Sequence, residues 1–172
     1  MGHIAKMCGK VDGFVENWRE MFSGSFDCRM DRHGRVAIPP SFRRKIEETG
    51  ESFVLTFFDD AIAGYPRGTW LSLEKQVLSL PAFSKKARAL SRVLASRAHE
   101  SKLDTQGRIL VPPALRRLAN LDRDVVVIGA MDRFEIWPRD KWSSFANEAE
   151  ALLDAASTEL SFGPSSPSTS QA

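Results

Sequence analysis

The sequence predicts an α+β fold, mainly β with short helices, in which two similar halves close a pseudo-two-fold barrel. Three observations indicate this fold: a motif of 14 residues occurs twice, strand-like segments follow each copy, and an apolar helix pattern ends each half. Internal repeats determine the architecture of a chain, and two copies are fewer than a solenoid needs. One closed barrel is therefore favoured, because closure removes exposed strand edges.

The repeated motif begins at Asp31 and returns at Asp104, at a constant offset of 73 residues. Seven positions are identical in the two copies: one Asp, one Gly, two Pro and three Arg. The similarity continues at an offset of 72, where Trp70 matches Trp142. Both halves are therefore expected to share one succession of elements: strand, turn, strand, helix, strand, strand, helix.

The repeat also predicts how the chain is divided. The segments outside it are an N-terminal extension that the native protein need not contain and a Ser-rich tail that is expected to be disordered, because it has little to bury. The predicted divisions are the extension 1–20, a first motif 21–70, a basic helical linker 71–97, a second motif 98–140, a C-terminal helix 141–160 and the tail 161–172.

The first strands and turns of each half have clear local signals. Phe26, Cys28 and Met30 alternate with charged residues, which is the period of a strand. Gly34 and Gly107 end polar tetrads, and each can supply the positive φ of a tight turn. Short apolar runs rich in β-branched residues follow both glycines and predict the second strands, at 36–38 and 109–111.

The later elements follow from proline and from apolar spacing. A Pro-Pro pair ends each second strand, and its second proline can occupy the first turn of a helix, where no N–H is needed. Amphipathic spacing indicates helices after that. Buried strands are expected at 53–57 and 125–129, and further helices near Trp70, over 82–97 and near Trp142.

The net charge of +2 conceals an uneven distribution. Residues 26–45 carry six basic and two acidic side chains, and residues 82–97 carry five basic and no acidic ones. Residues 132–160 carry three basic and seven acidic side chains. This pattern indicates a basic working surface on a nearly neutral protein, as a nucleic-acid partner requires.

Several classes of protein are excluded by what the sequence lacks. No apolar run approaches the length of a membrane span and no signal peptide is visible, so a cytoplasmic protein without a membrane partner is expected. The sequence contains no CxxC motif, metal-ligand spacing, phosphate loop or Ser-His-Asp order. Neither a metal, a cofactor, a small-molecule substrate nor an enzymatic activity is expected.

The repeated loop joins three residue types with complementary roles. The carboxylates of Asp31 and Asp104 can accept main-chain N–H groups across the turn, and the glycine lets the chain reverse. Arg35 and Arg108 then project from a stiff hairpin, and a guanidinium group suits phosphate oxygens or guanine edges. The alternative is that each Asp simply pairs with the Arg four residues later and holds the hairpin.

The duplication and the basic neighbours of the loops favour binding over a purely structural role. Of each Arg-Arg pair, 43–44 and 116–117, one member is expected to face solvent while the other packs against the barrel. The predicted DNA contacts are Arg35, Arg108, Arg32, His33, Arg29, Lys102, Arg43 and Arg116, and the predicted loop-shaping residues are Asp31, Gly34, Asp104 and Gly107.

One enzymatic alternative is a carboxylate dyad, because two pseudo-symmetric halves each provide an aspartate. A dyad must share a proton between its two carboxyl groups. An arginine four residues after each aspartate would instead keep both Asp31 and Asp104 ionised. This alternative is therefore rejected.

The residues resemble one family over about 21–160. The tandem Asp-x-x-Gly-Arg loops, the Phe-Ser-Lys-Lys-Ala-Arg linker from Phe83 and the Asp-Arg-Phe-Glu-Ile-Trp segment from Asp132 are similar to MraZ, bacterial regulators with two SpoVT/AbrB-type motifs. The resemblance implies a double-psi, swapped-hairpin AbrB-like barrel and a ring-like homo-oligomer at the nucleoid. It implies binding of double-stranded DNA at direct repeats in the protein's own promoter, usually repressing the division and cell-wall gene cluster, through loop arginines that map onto Arg35 and Arg108.

Two departures from the family's pattern bear on the operator sequence and on subunit contacts. Ser23 stands where the family usually has a basic residue, and Phe57 and Phe58 stand where Arg-Gly usually follows Thr. A second function also stays open, since AbrB-like barrels serve as antitoxins. Antitoxins end in a long acidic arm, and the uncharged residues 163–172 argue against that role.

Overall fold

The structure is a computed structural model that describes residues 21–48, 50, 52–81 and 83–157. The predicted extension 1–20 and the predicted tail 161–172 lie outside the described residues. The elements are β1 (Ser25–Arg29), β2 (Arg35–Ala37), α1 (Pro40–Glu48), β3 (Ser52–Phe58), β4 (Ala61–Pro66), α2 (Arg67–Leu78), α3 (Lys85–Arg97), β5 (His99–Lys102), β6 (Arg108–Leu110), α4 (Pro113–Ala119), β7 (Asp124–Gly129), β8 (Phe134–Pro138) and α5 (Arg139–Ser157).

The predicted succession of strand, turn, strand, helix, strand, strand, helix is confirmed in both halves. Helices α1 and α4 begin at Pro40 and Pro113, the second prolines of the two Pro-Pro pairs. A proline is tolerated there because the first turn of a helix needs no N–H donor. Among the described residues, helix α3 is the one long element without a counterpart in the other half.

The sheets reproduce the repeat as a pseudo-two-fold arrangement. Six antiparallel strands form one sheet in the order β1-β7-β8-β4-β3-β5, and β2 pairs with β6 in a separate two-stranded ribbon. Exchanging the halves maps β1 onto β5, β7 onto β3 and β8 onto β4, so the pseudo-axis passes between β8 and β4. At the centre of the ribbon Val36 lies opposite Ile109, its counterpart in the repeat.

The predicted closed barrel is wrong. In the described part of the chain the large sheet is open, with β1 and β5 at its edges, and the β2–β6 ribbon is not continuous with it apart from the single bridge Met30↔Val36. The physical reason lies in the prolines that follow β2 and β6. Each ribbon strand is only three residues long, and proline cannot donate a ladder hydrogen bond, so the pairing cannot extend far enough to close.

The description as mainly β with short helices also needs correction. Helices α3 and α5 contain 13 and 19 residues, whereas the longest strand contains seven. The protein is a mixed α+β structure in which the strands dominate the core and the helices cover it.

The sheet has two apolar faces, because alternate side chains of a strand point in opposite directions. One face, here called the core face, is covered by the ribbon and by helices α1 and α4. Fully buried side chains from all three layers meet there: Val36, Ile38, Phe42, Ile46, Phe53, Leu55, Ile62, Ile109, Leu115, Val125, Phe134 and Ile136.

The opposite face, here called the helix face, carries two smaller apolar clusters. Helix α2 packs Trp70 against Val54 and Tyr65, and helix α5 packs Trp142 against Trp137 and its neighbours. Helix α3 contacts α2 and β3 and therefore belongs to the same layer. The ribbon and the helix layer thus lie on opposite sides of the six-stranded sheet.

Candidate nucleic-acid interface

The outer surface of the β2–β6 ribbon presents both loop arginines. Val36 and Ile109 point inward and are completely buried. Their neighbours point outward, and the register places Arg35 opposite Leu110 and Arg108 opposite Ala37. Diagonal neighbours on one face of an antiparallel pair are about 7–8 Å apart. The ribbon therefore carries both arginines on one surface, at diagonally adjacent positions.

The first loop has the predicted turn. The Asp31 carboxylate accepts hydrogen bonds from the N–H groups of His33 and Arg35 at 2.8 and 2.9 Å. Gly34 donates its N–H to the Asp31 carbonyl at 2.9 Å and has a φ of +85°. The two N–H bonds to the carboxylate stabilise its ionised form. The pKa of Asp31 therefore lies below its ordinary value, mainly through the N–H of Arg35.

The second loop has the same geometry. Asp104 accepts the N–H groups of Gln106 and Arg108, both at 2.9 Å. Gly107 has a φ of +71°, and its N–H contacts the Asp104 carbonyl at 2.9 Å. The pKa of Asp104 is also lowered, first by the N–H of Arg108. In both copies the aspartate carboxylate accepts two N–H groups of its own turn.

The two loop arginines differ in their contacts. Arg108 is paired with its own loop: Nε and Nη2 both lie 2.8 Å from Oδ2 of Asp104. Arg35 only approaches Asp31, with 4.0 Å between Nη1 and Oδ2. The alternative of an Asp–Arg pair that holds the hairpin thus describes the second copy better than the first. Both arginines stay partly exposed, where such pairs contribute little stability.

Two other arginines each pack against the loop of the opposite repeat. The Arg43 side chain, from the first half, fills the space beside Gly107 in the second, where an added Cβ would lie 2.3 Å from Cδ of Arg43. Arg116, from the second half, fills the space beside Gly34, where an added Cβ would lie 2.7 Å from Cζ. The Nε atoms of Arg43 and Arg116 are buried and have no hydrogen-bond partner among the described residues.

Backbone hydrogen bonds cross at the same places. Ile38 donates its N–H to the Gly107 carbonyl at 3.0 Å, and Val111 donates to the Gly34 carbonyl at 2.9 Å. Each glycine is therefore held by both halves of the chain. This dependence gives a physical reason why both positions require glycine, beyond the positive φ.

The outward members of the two Arg-Arg pairs are Arg44 and Arg117, which are exposed, while Arg43 and Arg116 are half-buried. One member of each pair therefore faces solvent and the other packs. Sequence reasoning selected the packed members as DNA contacts. The exposed members carry the same repeat signal and could have been chosen with equal reason.

A basic groove of about 660 Å³ adjoins the first loop. Arg29, Arg32, Arg116 and Arg123 contribute to its lining, together with two aspartates. Arg123 was not predicted, because no basic residue stands at the corresponding position of the first copy at either offset. Its carbonyl accepts the N–H of Met30 at 2.8 Å, which fixes it beside the first strand.

The remaining predicted residues lie around these features. Arg32 donates from Nε to Nε2 of His33 at 3.1 Å, on the exposed tip of the first loop. Arg29, at the end of β1, lies 3.6 Å from Asp124. Lys102 is exposed at the end of β5, in the position that corresponds to Arg29. The second loop has Thr105 where the first has Arg32, so the two loops are not equally basic.

Other kinds of site find little support in the part of the chain that the structure describes. No group of three or more His, Cys, Asp or Glu side chains is placed to hold a metal ion among these residues. None of the described helices is both long and apolar enough to cross a membrane.

The fold and the ribbon define a class: tandem-repeat α+β proteins that display paired arginine loops on one surface. A family model described as "MraZ protein, putative antitoxin-like" matches the chain twice, over residues 21–93 and 94–162. The chain belongs to the MraZ family.

Relatives are similar over most of their length. A protein of Lactiplantibacillus plantarum is 41% identical over 141 residues, which are 81% of this chain and 98% of the relative. A protein of Natranaerobius thermophilus is 40% identical over 141 residues, 81% of this chain and 96% of the relative. Both are named "Transcriptional regulator MraZ". They are named as regulators, in line with the expectation that this chain is not an enzyme.

Proposed function

We propose that this chain is a transcriptional regulator that binds double-stranded DNA through the outer surface of the β2–β6 ribbon. It recognises short direct repeats in its own promoter, represses the division and cell-wall gene cluster there, and acts at the nucleoid in the cytoplasm. The observation that carries the proposal is the position of Arg35 and Arg108 at diagonally adjacent sites on one exposed ribbon surface.

The dimensions of DNA suit such a ribbon. The major groove of B-DNA admits a two-stranded β-ribbon, and an arginine can form two hydrogen bonds with the edge of a guanine. Arg35 and Arg108 would enter the groove together, because the tight turns and the buried residues between them hold both strands. Leu110 is half exposed on the same surface and can contact a thymine methyl group.

Arg35 and Arg108 differ in the ion pairs that they form in the absence of DNA. Arg35 is available to a base or a phosphate without losing a close ion pair. Arg108 must leave Asp104, or share its guanidinium group between Asp104 and DNA. Since an exposed pair contributes at most about 1 kcal/mol, a new bond to DNA can replace it.

The basic groove beside the first loop is proposed to hold the phosphate backbone. Arg29, Arg32 and Arg123 line it, and His33 lies at the loop tip. Lys102 would contact the backbone near the second loop. Phosphate contacts of this kind position a protein on DNA without reading its sequence.

Arg43 and Arg116 are proposed to act first by holding the opposite loops. Their buried Nε atoms cannot reach a phosphate, although their outer nitrogens remain partly accessible. The direct phosphate contact that the sequence predicts for these two residues is the alternative to this holding role, and the salt dependence of binding distinguishes the two. Arg44 and Arg117, which are exposed, are better placed for contacts with the backbone.

Assembly follows from the small number of contacts. One subunit offers few phosphate contacts, and binding of this kind weakens steeply with salt. Several linked subunits on successive repeats, about one helical turn apart, raise the overall affinity by orders of magnitude. We therefore propose a ring-like homo-oligomer, with apolar helices such as those near Trp70 and Trp142 at its subunit contacts.

A second candidate is an antitoxin-like interaction module, which the description of the matching family favours. It predicts a tight complex with a protein partner. The regulator proposal predicts protection of DNA by the purified chain alone.

The test is a footprint on the DNA upstream of the chain's own gene. The purified protein should protect a set of direct repeats, and the double variant Arg35→Ala, Arg108→Ala should leave them unprotected while retaining its fold by circular dichroism. The absence of any protected repeat at low salt would overturn the proposal.

A further inference from the structure

The basic helix α3 lies on the opposite side of the sheet from the ribbon, so its charges cannot contact DNA that is bound to the ribbon. It contacts α2 and β3 in the helix layer, whereas Arg35 and Arg108 project from the far side of the sheet. The inner side of α3 forms an apolar groove with α2, lined from α3 by Ser91, Leu94 and Ala95. A different partner must therefore account for the charge on its outer side.

The outer side of α3 combines cations with exposed apolar groups. Lys85, Lys86 and Arg92 are exposed, and the helical period places them on the side away from α2. Leu90 and Val93 of the same helix are each 43% exposed. No acidic residue occurs from 82 to 97. A surface of this composition fits a concave partner that is acidic at its rim and aromatic at its base.

The same chain contains such a concavity at the other end of the helix layer. A cleft of about 540 Å³ separates helix α5 from the turn between β3 and β4, and acidic residues of both elements line it. They are Asp59 and Asp60 from the turn and Asp140 and Glu148 from the helix. The cleft contains one cation, Lys141, which lies 2.7 Å from Asp60 and neutralises only that residue.

Aromatic side chains form the base of this acid-aromatic cleft. Trp137 stacks on Phe145 with 5.1 Å between ring centroids, and Trp142 contacts both rings. Phe145 is 48% exposed, although it belongs to this cluster, and Phe58 beside the turn is 45% exposed. Exposed aromatic groups bordered by polar residues are typical of protein–protein contacts.

We propose that the outer side of α3 in one subunit docks into the acid-aromatic cleft of the next. Leu90 and Val93 would cover Phe145, while Lys85, Lys86 and Arg92 face the acidic rim. The inference rests on the proposed homo-oligomer and specifies which two surfaces meet. Because these surfaces differ, the contact is head-to-tail, and repetition of such a contact by a closing rotation generates a ring. Both surfaces belong to the helix layer, so the ribbon stays available to DNA.

Charge reversal tests this pairing directly. The helix variant Lys85→Glu, Lys86→Glu, Arg92→Glu and the cleft variant Asp59→Lys, Asp140→Lys, Glu148→Lys should each lower the mass in solution to that of one subunit. Mixing the two variants should restore the wild-type mass, because each altered surface then meets its new complement and each unaltered surface meets an unaltered one. Light scattering after size-exclusion chromatography measures the mass.

A matched control changes the same number of charges elsewhere. The variant Glu47→Lys, Glu48→Lys, Glu100→Lys reverses three exposed charges outside both surfaces and should retain the wild-type mass. Circular dichroism establishes that every variant is folded. An unchanged mass in either interface variant, or a mixture that stays at the mass of one subunit, would overturn the inference.

Binding to a duplex with a single repeat separates this inference from the proposed function. At low salt the helix variant should retain the affinity of one wild-type subunit, since its ribbon is intact. If the helix variant keeps its mass but loses affinity for this duplex, α3 binds phosphate and the pairing is refuted. If the wild-type protein is already a single subunit, the pairing fails while the footprint still tests the ribbon.

Discussion

Arg43 of the first repeat occupies the space beside Gly107 of the second, and its position is exchanged under the pseudo-two-fold axis with that of Arg116 beside Gly34. Neither basic loop is therefore a self-contained hairpin. The reciprocal bonds of Ile38 and Val111 to the two glycine carbonyls strengthen this dependence. A single half-chain would lack the side chain that packs against its loop, so each loop depends on the other repeat for its packing.

The crossing predicts that Gly107 tolerates alanine poorly. Gly107→Ala adds a Cβ at positive φ, which costs about 1–2 kcal/mol, and pushes it into Arg43, which costs about 1–3 kcal/mol more. Gly50→Ala is the matched control, because Gly50 also has a positive φ but nothing lies within 4 Å of its added Cβ. Urea unfolding should show the larger loss for Gly107→Ala, and equal losses would contradict the packing described.

Arg43 should influence DNA binding without making a phosphate contact through its buried Nε. Arg43→Met keeps the aliphatic stem but removes the guanidinium group, and we expect about a tenfold loss of affinity with an unchanged dependence on salt. A lost phosphate contact would lower that slope by about 0.9 for each contact. Arg44→Met is the control at the exposed neighbour. Affinities measured between low and moderate salt distinguish the two roles, and a reduced slope in Arg43→Met would contradict the bracing role.

The helix face contains a buried carboxylate whose removal should destabilise the fold. Glu135 is 8% exposed and accepts hydrogen bonds from Nε1 of Trp137 at 2.9 Å and Nε of Arg133 at 2.8 Å. Glu135→Ala leaves both donors without this partner, and we expect a loss of about 2–3 kcal/mol. Glu100→Ala, at an exposed strand position, should change stability by less than about 0.5 kcal/mol. Similar losses in both variants would refute the account.

The hydrogen bonds that shape the two loops should persist at a pH below the ordinary pKa of aspartate. Since the pKa values of Asp31 and Asp104 are lowered in the folded state, their stabilising effect is complete above the ordinary aspartate pKa of about 3.9. It is lost only as the pH falls through the lower folded values. Carboxyl signals followed by NMR should titrate below the ordinary value in wild type, and a titration above it would mean that the N–H groups do not hold these carboxylates.

Local chemistry made part of this structure predictable. Gly34 ends a short polar turn and supplies its positive φ. Pro40 follows a short apolar run and begins helix α1. Both roles could be predicted from the neighbouring residues. The Asp31 turn could also be predicted, because the carboxylate reaches N–H groups only two and four residues away.

Long-range relations were not predictable in the same way. The predicted barrel would close only if the two edge strands β1 and β5 were joined. That depends on how far the hydrogen bonding of the β2–β6 ribbon extends, which no local sequence pattern specifies. The contact of Arg43 with Gly107 joins residues from different repeats, and the motif alone is equally compatible with each arginine packing in its own half. Arg123 has no basic counterpart in the first copy, so the repeat gave no reason to select it.

The central claim is that the outer surface of the ribbon binds DNA through Arg35 and Arg108. The most direct measurement is fluorescence anisotropy on DNA that contains the repeats. Arg35→Ala and Arg108→Ala should each weaken binding by about 1–3 kcal/mol, or roughly 5- to 150-fold, while the unfolding midpoint stays close to that of wild type. Unchanged affinity in both variants would contradict the claim.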